Sequence, residues 1–261
     1  MSDKCAARFP VWIKQLFAVI EADIRKWRHD PSELLARMVQ PAIWILIFGE
    51  AMSKTLSTTV PYLDYIAPGV LAQSILIIAI FYGIALIWEK DMGVLQKILV
   101  SPVPRIVLVV GRAFAAGIRG LGQVIVVYIL SMLLSIHLHF SFFSIIGVVA
   151  MSILLAALFS TFSLIVASIV KKRERFMGIG QAITMPLFFA SNALYPIDIM
   201  PQWLRTVSLF NPLTYQVDAL RSLMIEGETS HFGLAVDFGV SFGIFAILAL
   251  IATKLYPKIV Y

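Results

Sequence analysis

The sequence predicts an all-α integral membrane fold: six transmembrane helices, an amphipathic helix at the membrane surface before them, and short re-entrant helices before the last span. Composition is the first reason. Of the 261 residues, 60% are hydrophobic and 14% charged, whereas soluble domains carry roughly 25% charged residues. Second, apolar runs recur that approach the roughly 20 residues a helix needs to cross a bilayer core of about 30 Å. Third, lysines and arginines sit between those runs rather than on one water-facing module. The formal charge of +6 therefore speaks for membrane orientation and against a nucleic-acid partner.

The N-terminal part is amphipathic. Ile13, Leu16, Phe17, Ile20, Ile24 and Trp27 recur at helical spacing, with Lys14, Glu21, Arg25 and Arg28 in another register. Residues 10–29 are expected to form an interfacial helix with Trp12 and Trp27 near headgroup level, or a helix packed on a partner protein. Their charges interrupt any early apolar stretch, so no cleavable signal is expected. The single cysteine, Cys5, excludes an intramolecular disulfide and cannot by itself build a zinc site.

Asp30-Pro31-Ser32-Glu33 reads as a helix start, with Asp30 as N-cap and Pro31 in the first turn. The first span runs from Met38 to Ala51 with a bend expected at Pro41. The second, Tyr65 to Trp88, is free of charge. Glu89 to Arg105 is too charged and too rich in proline for lipid and must return to water. The third span is clearest from Leu121 to Ile136. A His137-Leu138-His139 loop follows, with no further histidine or cysteine nearby to complete a metal site. The fourth span is Phe142 to Val170, and Lys171-Lys172-Arg173-Glu174-Arg175 forms a basic loop. The fifth runs from Phe176 to Leu194 and tolerates Pro186 if neighbouring helices pack it. The sixth covers Phe238 to Thr253.

Tyr195 to His231 is neither a clean span nor a hydrophilic loop, because it mixes Trp203, Leu204, Val207 and Phe210 with Asp198, Arg205, Asp218 and Arg221. Asn211-Pro212 reads as an N-cap with a first-turn proline. Residues 195–221 are expected to dip into the outer membrane edge and return, and Asp218 and Arg221 are close enough on a helix to pair. Counting lysine and arginine at alternate ends of the spans puts all but Lys54, Arg205 and Arg221 on one side. Both termini are therefore expected in the cytoplasm.

Neither H-E-x-x-H, nor G-x-S-x-G, nor the phosphate-binding G-x-x-x-x-G-K-[ST] occurs. The chain is not expected to be an enzyme or to bind ATP. Glu50 and Asp237 fall near ends of spans, which disfavours an ion-coupled carrier without removing it. Arg105, Arg112 and Arg119 share a helical face at seven-residue spacing, and the expectation is snorkelling or a polar interface rather than a voltage sensor. Gly111, Gly117, Gly120 and Gly122 suit close helix approach.

The segment Glu89-Lys90-Asp91-Met92-Gly93-Val94-Leu95-Gln96-Lys97-Ile98-Leu99-Val100-Ser101-Pro102-Val103-Pro104-Arg105 resembles the loop and coupling helix of type-2 ATP-binding-cassette (ABC) exporter permeases, whose pattern reads roughly E-x-x-x-G-x-L-x-x-L-x-x-[ST]-P-x-x-R. Ile98 replaces the second leucine. Asn211-Pro212-Leu213-Thr214-Tyr215, with Asp218 and Arg221, resembles the family's segment before the last span. The resemblance covers essentially the whole chain as a single permease domain, 1–261, and is closest to the drug-resistance branch, with polysaccharide or lipid-linked glycan exporters as the neighbouring alternative.

That resemblance implies a homodimer in the bacterial cytoplasmic (inner) membrane, with two copies of a cytoplasmic ABC ATPase that binds ATP and Mg. This chain itself would hold no cofactor or metal, and membrane lipid would surround it. The ATPase-coupling residues would be Glu89, Lys90, Asp91, Gly93, Leu95, Lys97, Ile98, Leu99, Ser101, Pro102, Pro104 and Arg105, with Leu95, Ile98 and Leu99 seated in a groove of the motor. Family likeness also places the first, second and fifth spans on the substrate route. Trp44, Phe48, Phe81, Tyr82, Phe188, Phe189 and Asn192 are the residues expected there. An ion-coupled carrier and a membrane assembly protein without a transport cycle are the competing classes.

Overall fold

The computed structural model describes residues 21, 39–53, 61–95, 103–170 and 172–256. The expected interfacial helix, except Glu21, and the Asp30-Pro31-Ser32-Glu33 start lie outside the described residues. So do Lys97, Ile98, Leu99, Ser101 and Pro102 of the coupling segment, together with both chain ends.

Among the described residues the fold is helical throughout. Helix α1 is Val39–Ser53, α2 is Tyr62–Asp91, α3 is Arg105–Leu133 and α4 is Phe142–Val170. Helix α5 is Arg173–Phe189, and a 3₁₀ turn at Ile197–Ile199 leads into the short helices α6, Gln202–Phe210, and α7, Pro212–Met224. Helix α8, Leu234–Leu255, completes the order.

The bend expected at Pro41 takes the form of a π-helical stretch, Trp44–Gly49, inside α1. Pro41 offers no amide proton to the ladder, and the widened turn begins three residues later. Helix α2 is buried along nearly its whole length because it is the central element, touching α1, α3, α4, α5 and α7. Helix α4 backs it and also contacts α3, α5, α7 and α8. Two glycines permit the closest approaches. A Cβ on Gly117 of α3 would come within 2.9 Å of Ile153 on α4, and one on Gly69 of α2 would overlap the Ala193 carbonyl oxygen. Ser163 of α4 reaches into the α2 ladder, accepting from the Gly83 amide at 2.9 Å and donating to the Ile80 carbonyl. Side-chain insertion of this kind gives a buried serine its partners and locally opens the helix.

Four helices, α2, α3, α4 and α8, are long and apolar enough to cross a membrane. Helix α1 is a shorter apolar helix, and α5 has 17 residues with Arg173 and Glu174 in its first turn. The described residues thus supply four of the six expected spans by length and composition. The fourth span matches its expected limits. The others extend into charged sequence. Helix α2 takes in Asp64 and Glu89, α3 begins at Arg105 rather than near Leu121, and α8 includes Asp237. Each of those buried charges has a partner, which removes much of the penalty that sequence reading assigned to it.

The bundle has two chemically distinct ends. At one end meet the C-terminus of α2 and the beginnings of α3 and α5, tied by Glu89–Arg112 and Asp91–Arg173. Tyr256, just beyond α8, lies 6.0 Å from the Arg112 guanidinium. At the other end, the beginning of α2 meets the α3–α4 connection, the turn after α5 and α7. There Tyr62 donates to the Leu194 carbonyl at 2.8 Å, and Asp64 accepts from the His137 amide at 3.2 Å. The chain leaves α5 at this second end and enters α8 from it, since Ser230 donates to Asp237 at 2.7 Å.

Candidate functional site

The first candidate region is where α2 gives way to the loop before α3. Gly93 adopts a left-handed φ of +70°, the conformation that ends a helix with least cost when no Cβ is present. The Met92 and Gly93 amides turn back onto the carbonyls of Trp88 and Lys90. Pro104, with no amide to satisfy, opens α3 directly before the exposed Arg105. Asp91 bonds Arg173 at 2.7 Å, and that guanidinium stacks 3.9 Å from the Trp88 ring centroid. Lys90 is half-buried.

Two sequence expectations change here. Glu89 does not face water: it is buried and bonds the buried Arg112 at 2.5 Å. Burial of either charge alone is prohibitive, whereas the pair neutralises itself. Leu95 is fully buried within this chain's own core, so its side chain anchors the loop and is not presented to a partner. The exposed apolar side chains are Met92 and Val94. Their outward position follows from the left-handed turn at Gly93, which resets the register that spacing alone would give.

Beside this end lies a cavity of about 740 Å³ between α1, α2 and α3, lined in part by Gln40, Ser74, Phe81, Tyr82, Trp88 and Arg119. Phe81 and Tyr82 are thus where the sequence places them, on a cavity wall. Arg119 is half-buried, with its guanidinium 5.4 Å from the Tyr82 ring centroid. Two turns nearer the loop, Arg112 is held by Glu89. These arginines neither snorkel nor form a ladder; each finds an aromatic ring within cation–π reach.

The other substrate-route residues separate into two places. Trp44 and Phe48 of α1 meet Phe188 of α5 in edge-to-face contacts, with Trp44 5.2 Å from Phe48 and 5.3 Å from Phe188, and Phe189 adjoins Phe188 at 5.6 Å. Phe188 is fully buried and packs this cluster, while Phe189 is exposed. Asn192 lies away from them, at the opposite end of the bundle.

That opposite end is a polar network. The Asn211 side chain accepts from the Leu213 amide at 3.0 Å and Pro212 occupies the first turn of α7, the capping expected from sequence. Asn211 also donates to the Leu187 carbonyl, and Tyr215 to the Leu209 carbonyl, which hold α5, α6 and α7 together. Asp218 and Arg221 do not pair with each other. Arg221 donates to the Asn192 carbonyl at 2.7 Å and lies 3.8 Å from the Tyr65 ring centroid, whereas Asp218 accepts from Ser230 and the Phe232 amide. Helix α7 is buried on several sides, so tertiary partners outcompete the local pair. Glu50 is exposed, and Asp237 is wholly buried, joined to Asp218 through the Ser230 hydroxyl. His139 contacts Ser144 and His137 approaches Asp64, and no group of three metal-ligating side chains occurs among the described residues.

Comparison with known proteins agrees with this architecture. The ycf38 protein of Cyanophora paradoxa is 28% identical over 270 residues, covering 95% of this chain and 89% of that one. The daunorubicin resistance ABC transporter permease protein DrrB1 of Streptomyces coeruleorubidus is 23% identical, covering 88% of this chain and 81% of its own. The inner membrane transport permease YadH of Escherichia coli K12 is 22% identical, with coverages of 89% and 90%. A family model described as ABC-2 type transporter matches residues 14–225, a range that takes in the loop after α2, the cavity and the capped turn at Asn211, and the chain belongs to that family.

Proposed function

We propose that this chain is the membrane permease of an ABC exporter, working as a homodimer with two cytoplasmic ATPase subunits that bind ATP and Mg. Six spans cross the bacterial inner membrane, with α1 and α5 as the first and fifth, both termini are cytoplasmic, and residues 195–221 form the re-entrant outer segment. The substrate is an amphipathic molecule, drug-like or a lipid or glycan conjugate, which leaves the cytoplasm or inner leaflet. The likeness to a daunorubicin resistance permease favours the drug-like class.

One observation carries the reading. The Glu89 to Arg105 segment joins two membrane helices whose ends are locked to each other by a buried ion pair, directly beside the largest lined cavity described above. Motion imposed on that segment by a motor has a rigid path to the cavity wall. Met92, Val94, Ile98 and Leu99 are the apolar side chains proposed to dock. The test is co-purification with the ATPase of the same organism, followed by ATP hydrolysis and transport in liposomes. Ile98→Asp and Leu99→Asp force a charge into an apolar groove, at about 2–7 kcal/mol where water is excluded. Binding of the ATPase is expected to fall sharply. Full binding and ATP-driven transport by both variants would remove the coupling assignment.

A further inference from the structure

The cavity beside α2 and α3 has a chemical asymmetry that its apolar lining conceals. Position 119 is the midpoint of α3, Arg105–Leu133, about 21 Å along the helix from its start. A cation there is costly in lipid and in membrane proteins marks a pathway or a binding site. Arg119 lines the cavity, with Tyr82 as a ring platform. Gln123, one turn further, also lines it, is 2% exposed, and its side-chain oxygen accepts no hydrogen bond. Glu89 is the acidic residue of the lining, and its charge is matched by Arg112 at 2.5 Å. Counting Glu89, Arg112 and Arg119 together leaves one positive charge. Toward the loop the wall turns apolar, through Ile78, Phe81, Trp88 and Met92.

We propose that this cavity binds the acidic headgroup of an amphiphile against Arg119 and Gln123, with the acyl or alkyl tail along Phe81 and Trp88. The guanidinium supplies directed donors to a phosphate or carboxylate. The Gln123 oxygen takes a headgroup hydroxyl, such as that of a phosphate monoester or a glycerol. Two sources share this chemistry, an acidic membrane lipid resident in the cavity and an acidic transported molecule. The inference rests on the permease reading, but it is read on the permease alone, so failure of ATPase coupling and failure of headgroup selectivity are separate results.

The test uses two probes that differ only in their head, 11-bromoundecyl phosphate and 11-bromoundecyltrimethylammonium. Bromine quenches tryptophan on contact, and Trp88 lies where the tail is placed. With the full chain in phosphatidylcholine nanodiscs, the phosphate probe is expected to quench saturably and to bind at least about tenfold more tightly than the ammonium probe, the scale of one charge-assisted contact. Trp88→Phe should lower the saturable amplitude. Arg119→Gln should abolish the preference, Arg119→Lys should keep most of it, and Gln123→Met should weaken phosphate binding a few-fold without altering ammonium binding. Equal affinity for the two probes in the unaltered protein overturns the proposal with no variant needed, and so does a preference that survives Arg119→Gln. Replacing phosphatidylcholine by phosphatidylglycerol assigns the source. Competition identifies a resident lipid, undiminished phosphate binding identifies a transported amphiphile, and both uphold an acid-selective cavity.

Discussion

Removing the carboxylate of Glu89 is the sharpest perturbation the structure offers. Its side chain is 9% exposed and that of Arg112 6% exposed, with 2.5 Å between them. Glu89→Leu leaves the Arg112 guanidinium buried with Tyr256 6.0 Å away, and breaking a buried pair from one side costs about 3–5 kcal/mol. For a chain of this size, a drop of about 6–20 °C in midpoint follows at about 2–4 °C per kcal/mol. Arg112→Met should cost a similar amount. The double variant Glu89→Leu, Arg112→Met replaces both charges by apolar groups and should recover to within about 1 kcal/mol of the parent, since well-packed apolar replacements of buried pairs are often neutral. Asp91→Asn is the contrast, because its partner Arg173 is 35% exposed and Asp91 44%, and exposed pairs contribute about 0–1 kcal/mol. The assay is loss of the monodisperse chromatographic peak after heating the purified permease in detergent. Single variants as stable as the parent, or a double variant as unstable as the two singles summed, would refute the reasoning.

Three further outcomes follow from particular contacts. Gly69→Ala places a methyl against the Ala193 carbonyl oxygen, where backbone must give way, and should cost about 1–3 kcal/mol or more in the same heating assay; Gly239→Ala, with open space around it, should be neutral. Leu95→Asp should lower the yield of folded permease, because Leu95 is buried in the chain itself, whereas Ile98→Asp should leave the yield intact and reduce ATPase co-purification. With Cys5 replaced by serine, cysteines at Gln202 and Glu226, both exposed, should react in intact cells with a thiol reagent that cannot cross the membrane, and a cysteine at Arg173 should not; labelling at 173 alone would invert the proposed topology.

The helices were legible where physics is local. Phe142 to Val170 is uncharged and ends at a basic loop, so apolar length fixed its limits to the residue. Asn211-Pro212 announced its helix because capping depends on the residues within one turn. Legibility failed where a charge finds its partner far along the chain. Glu89 and Arg112 are 23 residues apart, and Asn192 meets Arg221 across 29; no spacing rule reaches that far. The same blindness hid Asp64, which belongs to α2 because the His137 amide, 73 residues on, satisfies it. The site suffered most. Sequence likeness chose aromatic residues for the substrate route, and these divide between a packed cluster around Phe188 and a cavity wall at Phe81 and Tyr82. Arg119 was read as a helix-end charge, although its place at the middle of α3 makes it the polar centre of that cavity.

Those corrections alter how force would travel on the proposed reading. A docking leucine at position 95 would make the loop a lever with contacts only at its tip. Instead Leu95 is held in the core, Glu89 is locked to Arg112 on α3, and Asp91 and Trp88 engage Arg173 at the start of α5. Displacing the loop therefore moves the ends of three helices as one body. Arg112 and Arg119 are seven residues apart, two turns and about 10 Å along the same face of α3, so a rigid shift or rotation of α3 at Glu89 is felt at Arg119 with no intervening side-chain rearrangement. Helix α2 need not follow as a rod, because the Ser163 insertion at Ile80 and Gly83 sits between the loop and its outer half. The inner half of α2, which carries Phe81, Tyr82 and Trp88, can then move with α3 while the outer half stays fixed by Tyr62, Asp64 and Tyr65. On that division, Ser163→Ala should leave ATPase binding intact and change the coupling of hydrolysis to transport, and equal transport per ATP in parent and variant would count against a hinge at that point.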